Sequence, residues 1–217
     1  SWSPVTAVAP LCEAVKGSAA HHRANAIDQI ATIVDTSFGD EASELCEYLR
    51  QQGVVRVLTE LLGRAEPSLH QPALRLFGNL ASEAVDPRAA LTKAEFKELG
   101  GFEKLLPYLF AAEWVSLVYA LGAMQNTCLD ADYVEIMQDM GIVPRLQELV
   151  RAGDEHVSKY ARGCLTNVRE LLLSLAADYR PTTPAPAEVQ EAGTSVGAPL
   201  NVPAVAATSV MAAERAQ

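Results

Sequence analysis

Apolar and polar positions alternate along this chain in a layout that recurs. From Gly53 the sequence reads GVVRVLTELLGRAEPSLHQPALRLFGNLAS: a glycine, an apolar run at helical spacing, a polar break over residues 63–68, and a second apolar run ending in Asn-Leu-Ala. The layout returns from Gly101 (GFEKLLPYLFAAEWVSLVYALGAMQNTCL) and from Gly141 (GIVPRLQELVRAGDEHVSKYARGCLTNVR). The interval from glycine to asparagine is 26 residues (53 to 79), then 25 (101 to 126), then 26 (141 to 167). The glycines lie 48 and 40 residues apart. Solenoid units of two or three helices repeat every ~40–47 residues, so the spacing fits once a loop insertion is allowed in the first copy.

The apolar residues recur three and four apart, the period of one helix face. Medium helices are predicted on Val54, Val57, Leu58, Leu61 and Leu62; on Leu105, Leu106, Leu109 and Phe110; and on Ile142, Val143, Leu146, Leu149 and Val150. Long helices are predicted on Ala73, Leu76, Phe77 and Leu80; on Ala120, Ala123, Met124 and Thr127; and on Ala161, Cys164, Leu165 and Val168. Small Ala73, Ala120 and Ala161 sit where helices must cross closely. A short helix precedes each glycine, over residues 40–52 with Asp40 as N-cap, 92–99 and 130–140. Each unit therefore reads as short helix, glycine turn, medium helix, polar break and long helix. No unit can bury its stripe alone, so stacking must close the core.

Residues 1–38 read as a degenerate first copy, with stripes Val5, Val8, Leu11, Cys12, Val15 and Ala24, Ile27, Ile30, Ala31, Val34. Ile30 or a neighbour stands in the asparagine place. Pro4 and Pro10 suit a helix start and would kink an interior. Residues 83–94, EAVDPRAALTKA, read as an inserted loop. The domain plan is an all-α repeat domain over 1–180 (repeats 1–38, 40–91, 92–129 and 130–177), followed by a Pro/Ala-rich disordered tail, 181–217, with a weak helix at 205–216.

Composition narrows the function. The chain has 217 residues, 49% hydrophobic and 6% aromatic, which suits closely packed helices. The net charge of −10 lacks the basic footprint that nucleic acid requires. No apolar run reaches the roughly 20 residues of a membrane span, and no signal-peptide pattern is visible. Cys12, Cys46, Cys128 and Cys164 are far apart, each in an apolar helical setting, and imply reduced buried thiols in an intracellular protein, cytoplasmic or nuclear. His21-His22, His70 and His156 have no ligand-spaced companions, so neither metal nor cofactor is expected. No nucleophile elbow, HExxH, phosphate-cradling loop or GxGxxG after a strand appears, and Gly100-Gly101 reads as a helix stop. An enzyme is not expected.

The G-[IV]-x-x-L-x-x-L-[LV] and A-L-x-x-x-x-N-[LTV] patterns, repeated three times over residues 41–173, resemble armadillo repeats. The resemblance implies a right-handed superhelix of stacked three-helix units whose long third helices line a concave groove for extended peptides. It implies that Asn79, Asn126 and Asn167 hold a peptide's main chain. Peptide-binding importin-type members carry tryptophan four residues earlier, where this chain has Arg75, Gly122 and Gly163, so half of that ladder is absent.

An asparagine amide both donates and accepts, so one per repeat can read a backbone; its other reading is a cap on a neighbouring helix or turn. Gln71, Arg75 and Glu83 flank Asn79, while Tyr119, Asp130, Tyr160 and Glu170 stand near the other two, as candidate specificity residues or a solvated face. Trp114, in the break before the second long helix, is half-buried packing or an interface anchor. The expected function is a non-catalytic scaffold or adaptor that holds a partner's peptide or helix. The alternatives are an Hsp70 nucleotide-exchange cofactor, which the length and repeat number also resemble, and a structural subunit of a larger assembly.

Overall fold

The computed structural model describes residues 3–17 and 19–178, and every regular element within them is helical. Trp2, the predicted tail and its weak helix lie outside the described residues. The first unit has two helices, α1 (Pro4–Lys16) and α2 (Ala20–Thr36). Three three-helix units follow. The first of these is α3 (Gly39–Gln51), α4 (Val54–Leu62) and α5 (Pro67–Leu80). The next is α6 (Ala89–Glu98), α7 (Gly101–Leu105) running into a 3-10 helix (Leu106–Phe110), and α8 (Trp114–Thr127). The last is α9 (Tyr133–Asp139), α10 (Ile142–Val150) and α11 (Glu155–Asp178).

Long helices α2, α5, α8 and α11 pack in sequence as one layer, and the shorter helices form the other. The core runs unbroken between the layers from Val8 to Leu171. Burying each Leu or Val contributes about 1.5–3 kcal/mol. Two aromatic stacks bridge successive units: Phe77 lies on Phe96, and Phe102 on Tyr133, each with ring centroids 3.8 Å apart.

The turn into each medium helix is made by a glycine in the left-handed region: Gly53 (φ 71°), Gly100 (φ 61°) and Gly141 (φ 64°). In the second full unit this residue is Gly100, not Gly101. Counted from it, the glycine-to-asparagine interval is 26 residues in all three units (53 to 79, 100 to 126, 141 to 167). Gly101 is required for another reason, since a Cβ there would fall 2.3 Å from the Phe96 ring.

Four expectations are corrected in detail. The segment 83–94 is not all loop: helix α6 begins at Ala89, and Val85, Ala89, Thr92 and Phe96 are buried at helical spacing. Asp86 shapes the turn before that helix, accepting the Arg88 N–H on its carboxylate at 2.9 Å. Asp40 is not an N-cap; Phe38 holds that place, and Asp40 and Glu41 fall in the first turn, where the helix dipole favours them. The medium helix of the second unit changes to 3-10 geometry at Leu106, beside Pro107, which has no N–H to give. The His21-His22 pair lies inside α2 rather than in a break, with both side chains exposed.

The first unit follows the same burial rhythm. Arg23, Ile27, Ile30, Ala31 and Val34 are spaced as Leu69, Ala73, Leu76, Phe77 and Leu80 are, which puts Ile33 in the asparagine place. Pro10 sits inside α1 and the helix continues past it to Lys16.

Candidate binding groove on the long-helix face

On each long helix the residues at spacings of three and four reach the outer face of the layer. They are Gln71, Arg75 and Gly78 on α5, then Trp114, Val118, Tyr119 and Gly122 on α8, then His156 and Tyr160 on α11. Two cavities open among them. The first, of about 280 Å³, has walls from Leu74, Trp114, Val118, Tyr119, His156 and Tyr160, with Gly78 and Gly122 contributing no side chain. The second, of about 310 Å³, lies toward α2 and is bordered by Asn25, Asp28, Gln71 and Pro72. Arg75, Val115 and Tyr119 line both, so the two adjoin.

Trp114 does not sit in the break; it is the first residue of α8. Glu113 places it there by capping the helix, its carboxylate accepting from the N–H groups of Val115 (3.0 Å) and Ser116 (2.7 Å). Those bonds, with that of Gln71, hold the Glu113 carboxyl below its usual range. The Trp114 side is 46% exposed and meets His156 edge-on, centroids 6.1 Å apart. Asp154 caps α11 in the same way, accepting from Val157 N–H at 2.9 Å. That bond lowers its pKa, helped by a hydrogen bond from the Trp114 indole. Glutamate is not among the favoured N-cap residues, which hid the helix start; the spacing of Trp114, Val118 and Gly122 was the available signal.

Arg75 is fixed rather than free. Its guanidinium donates to Asp28 at 2.8 Å and to Asp35 at 2.6 Å. Burial opposes its charge, but the Asp35 hydrogen bond and the charges of Asp35 and Asp28 outweigh that and raise its pKa. Asn79, only 2% exposed, gives its amide to the other oxygen of Asp35 at 2.6 Å.

The other two asparagines reach back to the preceding long helix. Asn126 donates to the Gly78 carbonyl at 3.0 Å, and Asn167 to that of Gln125 at 2.7 Å. Both carbonyls belong to the last turn of a helix, where carbonyls lack an intrahelical donor. Asn126 and Asn167 thus cap α5 and α8 from the next unit, while Asn79 bonds the Asp35 carboxylate. Gly163 lies against the Gln125 side chain, whose amide a Cβ there would strike at 2.6 Å unless it moved aside.

The remaining candidates divide. Gln71 bridges α5 to α8 through Glu113 at 2.7 Å. Arg75, Tyr119, Gly122 and Tyr160 meet at the first cavity, and Gln71 joins Arg75 and Tyr119 at the second. Glu83 pairs with Lys93 at 3.0 Å and Asp130 with Lys97 at 2.6 Å, and Glu170 is exposed on α11. These three, Gly163 and the three asparagines line neither cavity. Among the described residues, no group of three or more His, Cys, Asp or Glu is placed to hold a metal ion, and no helix is long and apolar enough to cross a membrane.

No protein-family model and no curated protein matches the sequence significantly. Solved structures of similar fold do exist. An engineered protein superposes with a TM-score of 0.62 at 23% identity, covering 75% of this chain and 37% of its own, so this chain spans little more than a third of it. A designed armadillo repeat protein gives 0.62 at 20% identity over 79% of this chain and 70% of its own. A second designed armadillo repeat protein, in complex with the peptide (KR)4, gives 0.60 at 18% identity over 82% of this chain and 70% of its own. With the helix order above, these likenesses define an armadillo-like repeat fold: an all-α, right-handed superhelical solenoid of stacked three-helix units.

Proposed function

We propose that this chain is a non-catalytic protein-binding scaffold, which receives an extended segment or a helix of a partner on the face formed by α5, α8 and α11. The observation that carries this reading is the pair of adjoining cavities on that face, walled by Trp114, Tyr119 and Tyr160 beside Arg75. Of these Trp114 is exposed, Tyr119 half-buried and Tyr160 buried, and aromatics and arginine around a recess are where interfaces concentrate their energy. A designed protein of the same fold that was solved with a peptide supports it as well. The amides of Asn126 and Asn167 spend one N–H on helix caps, which leaves each a second N–H and a carbonyl oxygen for a partner's main chain. Four free buried thiols support a reducing compartment, cytoplasm or nucleus.

The test is selection of binding segments from a displayed random-peptide library against the whole chain. Selected segments are then titrated by calorimetry into wild type, Trp114→Ala and Tyr119→Ala. Loss of about tenfold or more in affinity on either substitution supports the reading. Segments that bind both variants as tightly as wild type refute it.

One feature favours the structural-subunit alternative. Leu172, Leu173 and Leu175 are exposed near the end of α11, and Leu173 is 59% exposed. If this edge packs into an assembly, Leu173→Glu releases the chain from a stoichiometric complex while leaving segment binding unchanged.

A further inference from the structure

Resting on that reading, we infer that the face takes a two-residue signature: a bulky apolar side chain in the first cavity and, two positions along an extended partner chain, a lysine or arginine against Asp28 in the second.

The first cavity is shaped for one large side chain. Its volume of about 280 Å³ lies just under the range of about 300–1,000 Å³ typical of small-molecule sites. Leu74, Val118, Tyr119 and Tyr160 give it apolar walls, and Trp114 stands at the rim. Gly78 and Gly122 line the space without a side chain. The position four residues before Asn126, where the sequence resemblance would place a tryptophan, contributes no side chain, and an indole is offered from the start of the helix instead. An indole at the rim and bare glycine at the base make a socket rather than a flat shelf. Asp154 at the polar edge of this end is already engaged, its carboxylate accepting the Val157 N–H at 2.9 Å. What remains to be filled is apolar.

The second cavity has the opposite character. Asp28 borders it with a side chain 60% exposed. Arg75, the one cation among the described residues that line it, is shared between Asp28 and Asp35, so two carboxylates face a single guanidinium. Glu113 adds a further carboxylate through its bond to Gln71. The local excess is negative, so an incoming cation is attracted and an incoming acid repelled. Tyr119 lines both recesses, and its aromatic ring is a further group that attracts a cation. In an extended chain, residues two apart point to the same side roughly 6.6–6.8 Å apart, and the two recesses adjoin through Arg75, Val115 and Tyr119.

The experiment uses the full chain and short blocked peptides in a Gly/Ser background, titrated by calorimetry. One peptide carries Phe-Ser-Lys, one Ala-Ser-Lys and one Phe-Ser-Glu. The expected result is that Phe-Ser-Lys binds and each replacement weakens it by about tenfold or more. Gly122→Leu, which fills the socket, removes the preference for Phe over Ala. Asp28→Lys reverses the preference for Lys over Glu. Circular dichroism confirms the fold of each variant; if Gly122→Leu does not fold, Trp114→Ala takes its place with the same expectation. Equal binding of the three peptides, no binding of any, or a Phe preference that survives a filled socket overturns the inference. The library-selected segments separate the two levels of the claim. Segments that are lost on Trp114→Ala or Tyr119→Ala but lack the signature leave the scaffold standing and sink the inference, whereas segments indifferent to both substitutions sink both. A dimer in ultracentrifugation that Gly122→Leu dissolves makes the occupant a second copy of the chain, and the inference fails.

Discussion

The Asn126 amide donates to the Gly78 carbonyl, 3.0 Å away, across the boundary between two units. Gly78 lies in the last turn of α5, so the bond satisfies a helix-end carbonyl that the helix itself leaves open. Each unit is therefore joined to the one before it by polar contacts as well as by the apolar core. Replacing Asn126 with Ala is expected to lower unfolding free energy by about 1 kcal/mol, the net worth of one such bond. Urea denaturation of the whole chain measures it. An unchanged midpoint would mean that the cap contributes nothing.

A second joint is buried. Arg50 donates to Asp86 at 2.6 Å, and their side chains are 7% and 0% exposed. Arg50 also reaches Thr92 at 3.1 Å and Glu47 at 3.0 Å, while its Nε has no partner among the described residues. Removing Asp86 takes away the buried partner of Arg50 and leaves the partly exposed Glu47 to balance it. Asp86→Ala is expected to cost about 3–5 kcal/mol, and the double variant Asp86→Ala, Arg50→Met less than Asp86→Ala alone. A double variant as unstable as the single one would contradict this account.

Gly101 and Gly53 are glycines for different reasons, and alanine at each separates them. At Gly101 the backbone is ordinary, and the added Cβ meets the Phe96 ring, itself stacked on Phe77; overpacking of about 1–3 kcal/mol is expected. At Gly53 the space is open and φ is 71°, so the cost is conformational, about 1–2 kcal/mol. Near-ultraviolet circular dichroism distinguishes the two: Gly101→Ala perturbs the aromatic signal and Gly53→Ala leaves it in place.

Acid should loosen the two long helices that carry the groove. Glu113 and Asp154 are both held below their usual pKa by N–H groups of the helices they cap. A carboxyl depressed in the folded state binds fewer protons there than when unfolded. Its stabilisation is complete above the unfolded pKa, about 4, and is lost as pH falls through the folded value. The urea midpoint should therefore fall from pH 5 downward, and fall less steeply in Glu113→Gln, which has no charge to lose. Equal slopes for the two proteins would remove Glu113 from the account.

All four cysteines are buried, and burial pushes the Cys46 thiol up to about 12 and raises those of Cys12 and Cys164. The thiolate is the reactive form. No thiol should react with an aromatic disulfide reagent in the native protein, and all four should react in denaturant. Fast native labelling at any one would show that its unit opens.

The repeat order was legible because it rests on three short-range signals that need no tertiary knowledge: left-handed glycines, helical periodicity and the alanine-to-asparagine spacing. Where two glycines adjoin, the 26-residue interval of the other two units selects Gly100 as the one that turns the chain, and the Phe96 ring explains why Gly101 is glycine as well. The helix within the supposed loop at 83–94 was hidden because Pro87 signals a turn, while the buried positions Val85, Ala89, Thr92 and Phe96 gain meaning only from the unit they pack on. The groove was legible in part. Arg75, Tyr119, Gly122 and Tyr160 follow from stripes on the long helices. Asp28 and Asp35 were not found, because they come from the degenerate unit, which offers no asparagine to mark the face. His156 was set aside as isolated, and its place beside Trp114 depends on contact between α8 and α11.

The central claim is that the face formed by α5, α8 and α11 is where a partner lies. Hydrogen exchange with and without a selected segment tests it most directly. The account predicts slowed exchange at residues 71–79, 114–126 and 156–167, with α4 and α10 unchanged. Protection confined to those shorter helices, or to the leucines at the end of α11, would contradict it.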